Sequence, residues 1–175
     1  MGKNLQKYYK TVSIYDLLTK LNFKNVFEII KITKICLNVG FKDANIEKKN
    51  LINIILFLKL ITNQKPLLTK SKKNNIFLKI KKNSIIGCKM TLRNKNVLDF
   101  LEKLIFFVLP NLNKNQIKLQ NKSTLNLQIK NVLDFLELKT EFLKFKNIPS
   151  LDISIQTTCK NKNELYILLN SLFVL

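Results

Sequence analysis

The chain contains no histidine and no tryptophan, a single alanine, a single arginine, three glycines, three prolines and three cysteines. Each scarcity removes a class of function. Without histidine the commonest general base and the commonest metal ligand are gone, so a serine nucleophile would need a lysine or another unusual base. Three glycines cannot furnish a phosphate-cradling loop or a dinucleotide fingerprint. Cys36, Cys88 and Cys159 are far apart, odd in number and form no CxxC pair, which fits reduced thiols and not a disulfide frame or a zinc site. Acidic residues number eleven, and those of the last third (Asp134, Glu137, Glu141, Asp152 and Glu164) form no convincing pair. The chain therefore reads as a binding protein and not an enzyme, with no cofactor and no metal expected.

Long apolar runs are missing too. The longest, such as Leu104 to Leu109, are six residues, against the roughly 20 needed to span a bilayer. The N-terminal stretch MGKNLQKYYKTVSIYDLL lacks a secretory hydrophobic core and the arginines of a mitochondrial import peptide. Gln6 stands where a myristoylation signal wants Ser or Thr. The shortage of Ala, Arg, Gly and Pro beside abundant Lys, Asn, Ile and Leu is the pattern of an A+T-rich genome, as many organelle genomes are. On that reading the surviving Gly, Pro and Arg residues mark places where drift was not tolerated.

What is present is positive charge on a folding chain. Lys and Arg number 31 against the eleven acids, giving a net charge of +20, and 46% of residues are hydrophobic. Lys48 to Leu98 alone carries thirteen basic residues and no acid. A compact state so charged repels itself unless a polyanion neutralises it. At the centre lies Gln64 to Arg93, where apolar residues alternate with charges in Phe77-Leu78-Lys79-Ile80-Lys81 and in Cys88-Lys89-Met90-Thr91-Leu92-Arg93. That period of two predicts paired strands with one face buried and one cationic. Lys72 to Asn75 and Lys82 to Ser84 read as loops, and Phe77 as a core residue more readily than as a base-stacking one.

Elsewhere the spacing predicts a helix over Tyr8–Leu21, a short helical turn over Phe23–Ile30, and a strand over Lys31–Val39 followed by a turn at Gly40. Glu47–Ile61 reads as a helix ended before Pro66, and Asn94–Leu109 as a helix capped by Asn94 and stopped by Pro110. Asn111–Thr124 reads as a loop or irregular arm, Leu125–Leu133 as a strand, and Glu137–Asn147 as ambiguous. Leu151–Thr158 is a predicted strand and Asn161–Phe173 a predicted helix. The octapeptide KNVLDFLE occurs at Lys95–Glu102 and again at Lys130–Glu137. Two copies are too few for a helical-repeat array, so it reads as coincidence, helical once and strand-like once. The order points to one α+β domain over residues 1–175. Its antiparallel or mixed sheet would carry helices on one face and a protruding basic loop.

Three segments resemble successive signatures of a known family: Lys34-Ile35-Cys36-Leu37-Asn38-Val39-Gly40, then Gln64-Lys65-Pro66-Leu67-Leu68-Thr69-Lys70, then Ile86-Gly87-Cys88-Lys89-Met90-Thr91-Leu92-Arg93. With Leu151 to Thr158 and the start at Tyr8-Tyr9, they resemble ribosomal protein five of the large subunit, bacterial type, over nearly the whole length. The resemblance implies an α+β protein that binds 5S ribosomal RNA and large-subunit rRNA in the central protuberance, among other ribosomal proteins there. It implies RNA-facing roles for Asn38, Gln64, Lys65, Thr69, Lys70, Lys89, Thr91 and Arg93. It implies that the loop from Ser71 to Asn83, with Lys72, Lys73, Lys79, Lys81 and Lys82, reaches the peptidyl-site tRNA. It also implies contact with small-subunit protein thirteen across the subunit bridge. The departure is Asn111 to Pro149, where the family carries a Gly-rich, aromatic-containing stretch and this chain has no glycine.

The reading is a structural ribosomal protein whose lysines dock on phosphate while Asn38, Gln64, Thr91 and Arg93 set the register. The expected setting is a mitochondrial matrix ribosome, or alternatively a plastid one, with the protein encoded in the organelle. The rival is a basic peripheral membrane protein. Against it stand apolar stripes sized for a core and the lack of tryptophan anchors.

Overall fold

In a computed structural model of the chain, the described residues are 3–21, 23, 25–41, 48–111, 117–119, 122–145 and 148–172. Glu47, Asn147 and Phe173, ends of three predicted elements, lie outside them. Six strands form one sheet in the order β2-β3-β1-β6-β5-β4, with β1 Ile32–Gly40, β2 Leu67–Lys70, β3 Ile85–Arg93, β4 Ile117–Leu119, β5 Thr124–Ile129 and β6 Leu151–Thr157. The pairs β2–β3 and β4–β5 are antiparallel. Bonds joining the end of one strand to the start of its neighbour give the same sense to the others: Phe41 N–H to the Ile86 carbonyl, Thr158 N–H to that of Lys31, and Thr157 N–H to that of Ser123.

Alternation gives the sheet two unlike faces. Ile35, Leu37 and Val39 of β1, Cys88, Met90 and Leu92 of β3, Leu125, Leu127 and Ile129 of β5, and Leu151, Ile153 and Ile155 of β6 are buried. The residues between them, among them Lys34, Cys36, Asn38, Lys89, Thr91, Asn126, Ser154 and Gln156, are half-buried or exposed. The α+β class with an antiparallel sheet is thus the observed one.

Two compact units make up the chain, their boundaries falling inside β1, β3, β5 and β6. The first holds Met1–Ile35, Leu92–Leu127 and Ser154–Leu175. Its N-terminal helical stretch is α1 Lys3–Tyr8, a π-turn Tyr9–Ser13 and α2 Ile14–Lys20. α1 packs on α4 Lys95–Lys103 and α2 on α7 Lys162–Ser171, and the buried Ser13 hydroxyl donates to the Ser171 carbonyl at 3.2 Å. Glu164 starts α7 by accepting the backbone N–H groups of Lys160 at 2.8 Å and Asn161 at 3.3 Å, satisfying donors that a helix start leaves orphaned. The second unit holds Cys36–Thr91 and Gln128–Ile153. There α3 Lys48–Thr62 buries Ile54, Phe57, Leu58 and Ile61 and packs on α5 Leu136–Lys139 and α6 Phe142–Phe145. The Asn53 amide donates to the Lys144 carbonyl at 3.1 Å.

Several expectations are corrected. Residues 117–119 of the presumed arm form β4, paired with β5 over Ile117–Leu127 to Leu119–Leu125. β5 ends at Ile129, and the second KNVLDFLE copy is a 3-10 turn Val132–Asp134 leading into α5, not a strand. The first copy lies in α4. Their contexts differ: α4 buries Val97, Phe100 and Leu101 in a long helix, whereas the later copy fills a tight corner with Val132 and Phe135. Asn94 makes no side-chain cap; it sits at φ 53° between β3 and α4, so what the position demands is a left-handed backbone, which Asn tolerates. Gly40 is simply the last residue of β1, where an added Cβ would meet nothing within 4 Å.

Candidate nucleic-acid interface

The register of β3 against β1 decides which side chains meet. Phe41 N–H donates to the Ile86 carbonyl at 3.0 Å, and Gly87 lies against Val39 and Gly40. Burial alternates over Lys34–Gly40 of β1 and over Cys88–Arg93 of β3, and the pairing carried along the strands from the Phe41–Ile86 bond sets Gly40 opposite Gly87, Asn38 opposite Lys89 and Cys36 opposite Thr91. On the other side of β3, Leu67 pairs with Lys89 and Thr69 with Gly87. Directly opposed residues on one face have Cβ atoms about 4.5–5.5 Å apart. The fold therefore gathers Asn38, Thr69, Lys89 and Thr91 on the open face of the second unit.

Gly87 is needed where it stands. A Cβ there would lie 2.7 Å from the Val39 carbonyl oxygen and 3.0 Å from the Thr69 hydroxyl. Behind the face, burial pushes the Cys88 thiol above its ordinary pKa, so it packs as a neutral hydrophobe. β2, β3 and β1 carry no acid; on the outward side of β6, Asp152 is the exception. Lys89 and Asn38 are exposed, a cation beside an amide, while the Thr69 and Thr91 hydroxyls are half-buried.

The remaining sequence-predicted residues lie elsewhere. Gln64 and Lys65 occupy the turn between α3 and β2, where Asn63 at φ 56° ends the helix and Gln64 N–H donates to the Thr62 hydroxyl at 3.4 Å. Lys70 is exposed at a register shift between Thr69 and Lys70 that re-aims the end of β2. Arg93 is exposed at the end of β3 and belongs to the first unit. Cys36, between Lys34 and Asn38 on the outward side of β1, was not singled out, although the alternation of Lys34-Ile35-Cys36-Leu37-Asn38 carries that signal.

The loop between β2 and β3 is not the predicted strand pair. Phe77 to Lys81 forms a bridged turn: Asn75 and Ile80 exchange backbone bonds at 2.9 Å each, and Lys79 N–H donates to the Ile76 carbonyl at 3.1 Å with Lys79 at φ 53°. Asn75 and Asn74 side chains accept the Leu78 and Lys82 backbone N–H groups at 3.2 and 2.5 Å. The neck is closed by Ser71 N–H to the Ser84 carbonyl at 2.9 Å and Asn83 N–H to that of Ser71 at 3.0 Å. Alternation buries a face only when an element lies beneath it, and none does here. Phe77 is 98% exposed, Ile76 89% and Leu78 62%, so Phe77 is a tip residue and not core. Lys72, Lys73, Lys79, Lys81 and Lys82 are all exposed around that braced apolar tip.

Among the described residues no helix is long and apolar enough to cross a membrane, and no group of His, Cys, Asp and Glu could hold a metal. Two family models match the chain: Ribosomal protein L5 over residues 25–81 and the ribosomal L5P family C-terminus over residues 85–174. It is similar to the large ribosomal subunit protein uL5m of Reclinomonas americana, 37% identical over 95% of this chain and 93% of that protein. It is also similar to uL5 of Ehrlichia canis, 38% identical over 94% of each chain, and to uL5 of Buchnera aphidicola, 36% identical over 94% of this chain and 93% of the relative.

Proposed function

The chain belongs to the bacterial-type ribosomal protein L5 family, and on that basis we propose that it is a structural constituent of a large ribosomal subunit that holds 5S rRNA and adjoining rRNA. Its work is binding, not turnover. The observation that carries the RNA reading is the row Leu67–Lys89–Asn38, flanked by Thr69 and Thr91, on three strands without an acid. Lys89 neutralises phosphate, while Asn38, Thr69 and Thr91 offer donors and acceptors suited to ribose hydroxyls and base edges, the groups through which folded RNA is read. Gln64, Lys65 and Lys70 extend this surface past the β2 edge, and Arg93 offers RNA a planar guanidinium fork of its own.

The braced loop is the element that reaches the peptidyl-site tRNA. Its five lysines supply the attraction and Phe77 an aromatic face on which a base can stack. The protein sits in the central protuberance and adjoins small-subunit protein thirteen across the bridge. The ribosome is mitochondrial: the uL5m relative and the A+T-rich composition favour that setting.

The test is equilibrium binding of the purified protein to 5S rRNA over a salt series. Affinity should fall steeply as salt rises, and Lys89→Ala should reduce the slope of log K against log salt by about 0.7–0.9. Salt-independent affinity would refute the phosphate-led interface.

A further inference from the structure

α3 lacks the polar face of an ordinary surface helix. From Leu51 to Ile61 its polar residues are Asn53 and Lys59, and the Asn53 amide is taken by the Lys144 carbonyl of α6 at 3.1 Å. Ile54, Phe57, Leu58 and Ile61 point into the core of the second unit. Ile52, Leu56 and Leu60, at successive four-residue steps, form a second stripe on the opposite side. Ile52 is 61% exposed, Leu56 36% and Leu60 38%. A helix that is apolar all round is normally a buried one. Asn53, Leu56 and Leu60 share a flank at i, i+3 and i+7, so the Asn53 bond brings α6 alongside the stripe. On α6, Phe142 is exposed and Leu143 is 89% exposed. Two packed helices of one unit thus leave large apolar side chains in water. The charges beside them are mostly of one sign. α3 has three lysines and no acid. Lys59 and Lys139 are exposed, and Glu141, just before α6, is paired with Lys144 at 3.1 Å.

We propose that the outer stripe of α3, with α6 beside it, docks an amphipathic helix of another large-subunit protein, one whose apolar face is bordered by Asp or Glu. This inference rests on the reading of the chain as a ribosomal constituent. It adds a protein partner on a helix that carries none of the proposed RNA-facing residues. A phosphate-lined surface has nothing to gain from Ile52, Leu56 and Leu60, and a second copy of this chain would bring another +20 against the first. A stripe about 12 Å long suits a second helix laid along α3, its own aliphatic residues between those of the stripe. Acids on the partner's rim meet Lys59 and Lys139, which fixes the register and turns basic partners away. Strongly apolar contacts belong to permanent assemblies, whereas contacts that part and re-form are smaller and more polar. The partner therefore belongs to the same subunit, not to the one across the bridge.

The experiment puts a photo-crosslinking benzoylphenylalanine in place of Ile52 or Leu56, with exposed Asn163 of α7 as the control position, in the full-length chain within ribosomes. Isolated large subunits are irradiated and the joined peptides sequenced. Both α3 positions, and not Asn163, should join to one segment of one large-subunit protein. That segment should repeat aliphatic residues at three- and four-residue steps, with Asp or Glu beside them. Joining to rRNA, to a second copy of this chain or to a segment without that pattern overturns the docking helix, as does a yield no higher than at Asn163. Absence of the chain from the large subunit overturns the ribosomal reading, and the inference with it. Ile52→Glu and Ile52→Lys then test the sign of the rim. The side chain replaced is mostly exposed, so both free proteins should melt at the wild-type midpoint. In washed large subunits Ile52→Glu should reduce retention of the crosslinked protein several-fold more than Ile52→Lys does. Equal losses, or a greater loss with lysine, would overturn the acidic rim.

Discussion

Replacing Gly87 with alanine isolates the register on which the proposed RNA face depends. The new Cβ would lie 2.7 Å from the Val39 carbonyl oxygen, where ordinary contact begins at 3.4 Å, so β1 and β3 must separate locally by about 0.7 Å. The obstructing atom is backbone and cannot rotate aside. The adjacent Phe41–Ile86 bond, now 3.0 Å, would stretch beyond hydrogen-bonding range. Overpacking of this kind costs about 1–3 kcal/mol and a lost bond about 1 kcal/mol. The reduced entropy of the unfolded alanine chain offsets about 0.4–1 kcal/mol. The net loss is about 1–3 kcal/mol, a fall in melting midpoint of roughly 3–10 °C for a chain of this size. Gly40→Ala is the matched control, since its Cβ meets nothing within 4 Å and should leave the stability within about 0.5 kcal/mol of wild type. Calorimetry or urea titration of the two variants decides the matter. An undiminished midpoint in Gly87→Ala would refute the close approach of β1 to β3, and with it the placement of Asn38 beside Lys89.

Phe77→Ala should leave the melting midpoint and 5S rRNA affinity unchanged, because its ring is 98% exposed. In ribosomes carrying the variant, peptidyl-site tRNA should be held more weakly by about 1–3 kcal/mol, measured by tRNA dissociation; undiminished retention would remove the tip from that contact. Stability should decline above about pH 9. Burial raises the Cys88 and Cys159 thiols from 9.0 and the Tyr9 phenol from 10.0, so the unfolded chain ionises first. Their contribution is whole below those unfolded values and is lost as pH climbs through the folded ones; a melting series should show the decline, and Cys88→Ala should flatten it. Finally, a maleimide should modify half-buried Cys36 well before buried Cys88 and Cys159. Bound 5S rRNA should protect Cys36, and labelling unaffected by the RNA would place the RNA on another surface.

The long regular elements were legible because their patterns are unambiguous. α3 repeats Ile54, Leu58 and Ile61 at helical steps, and β1, β3 and β6 alternate over Lys34–Gly40, Cys88–Arg93 and Leu151–Thr157, so type and buried face both follow from the sequence. The outward placement of Lys89, Thr91 and Asn38 was legible too, since alternation alone assigns it. The loop tip was misread because Phe77 to Lys81 has a strand's alternation but no element beneath it. β4 was missed because three residues, Ile117 to Leu119, are too few to show a period. The two KNVLDFLE copies show the same limit, since one peptide forms a helix in one setting and a corner in the other.

By itself, then, the sequence determined the chemistry: a folding chain with a strongly cationic, acid-free middle and no histidine, a composition suited to a polyanionic partner. It also determined which residues of each long strand look outward, because side chains alternate whatever the strand is paired with. Only the tertiary structure decided who faces whom. The antiparallel register puts Asn38 opposite Lys89, and the bridged turn turns Phe77 into an exposed tip. Those relations are set by pairing between segments far apart along the chain, which no local pattern encodes.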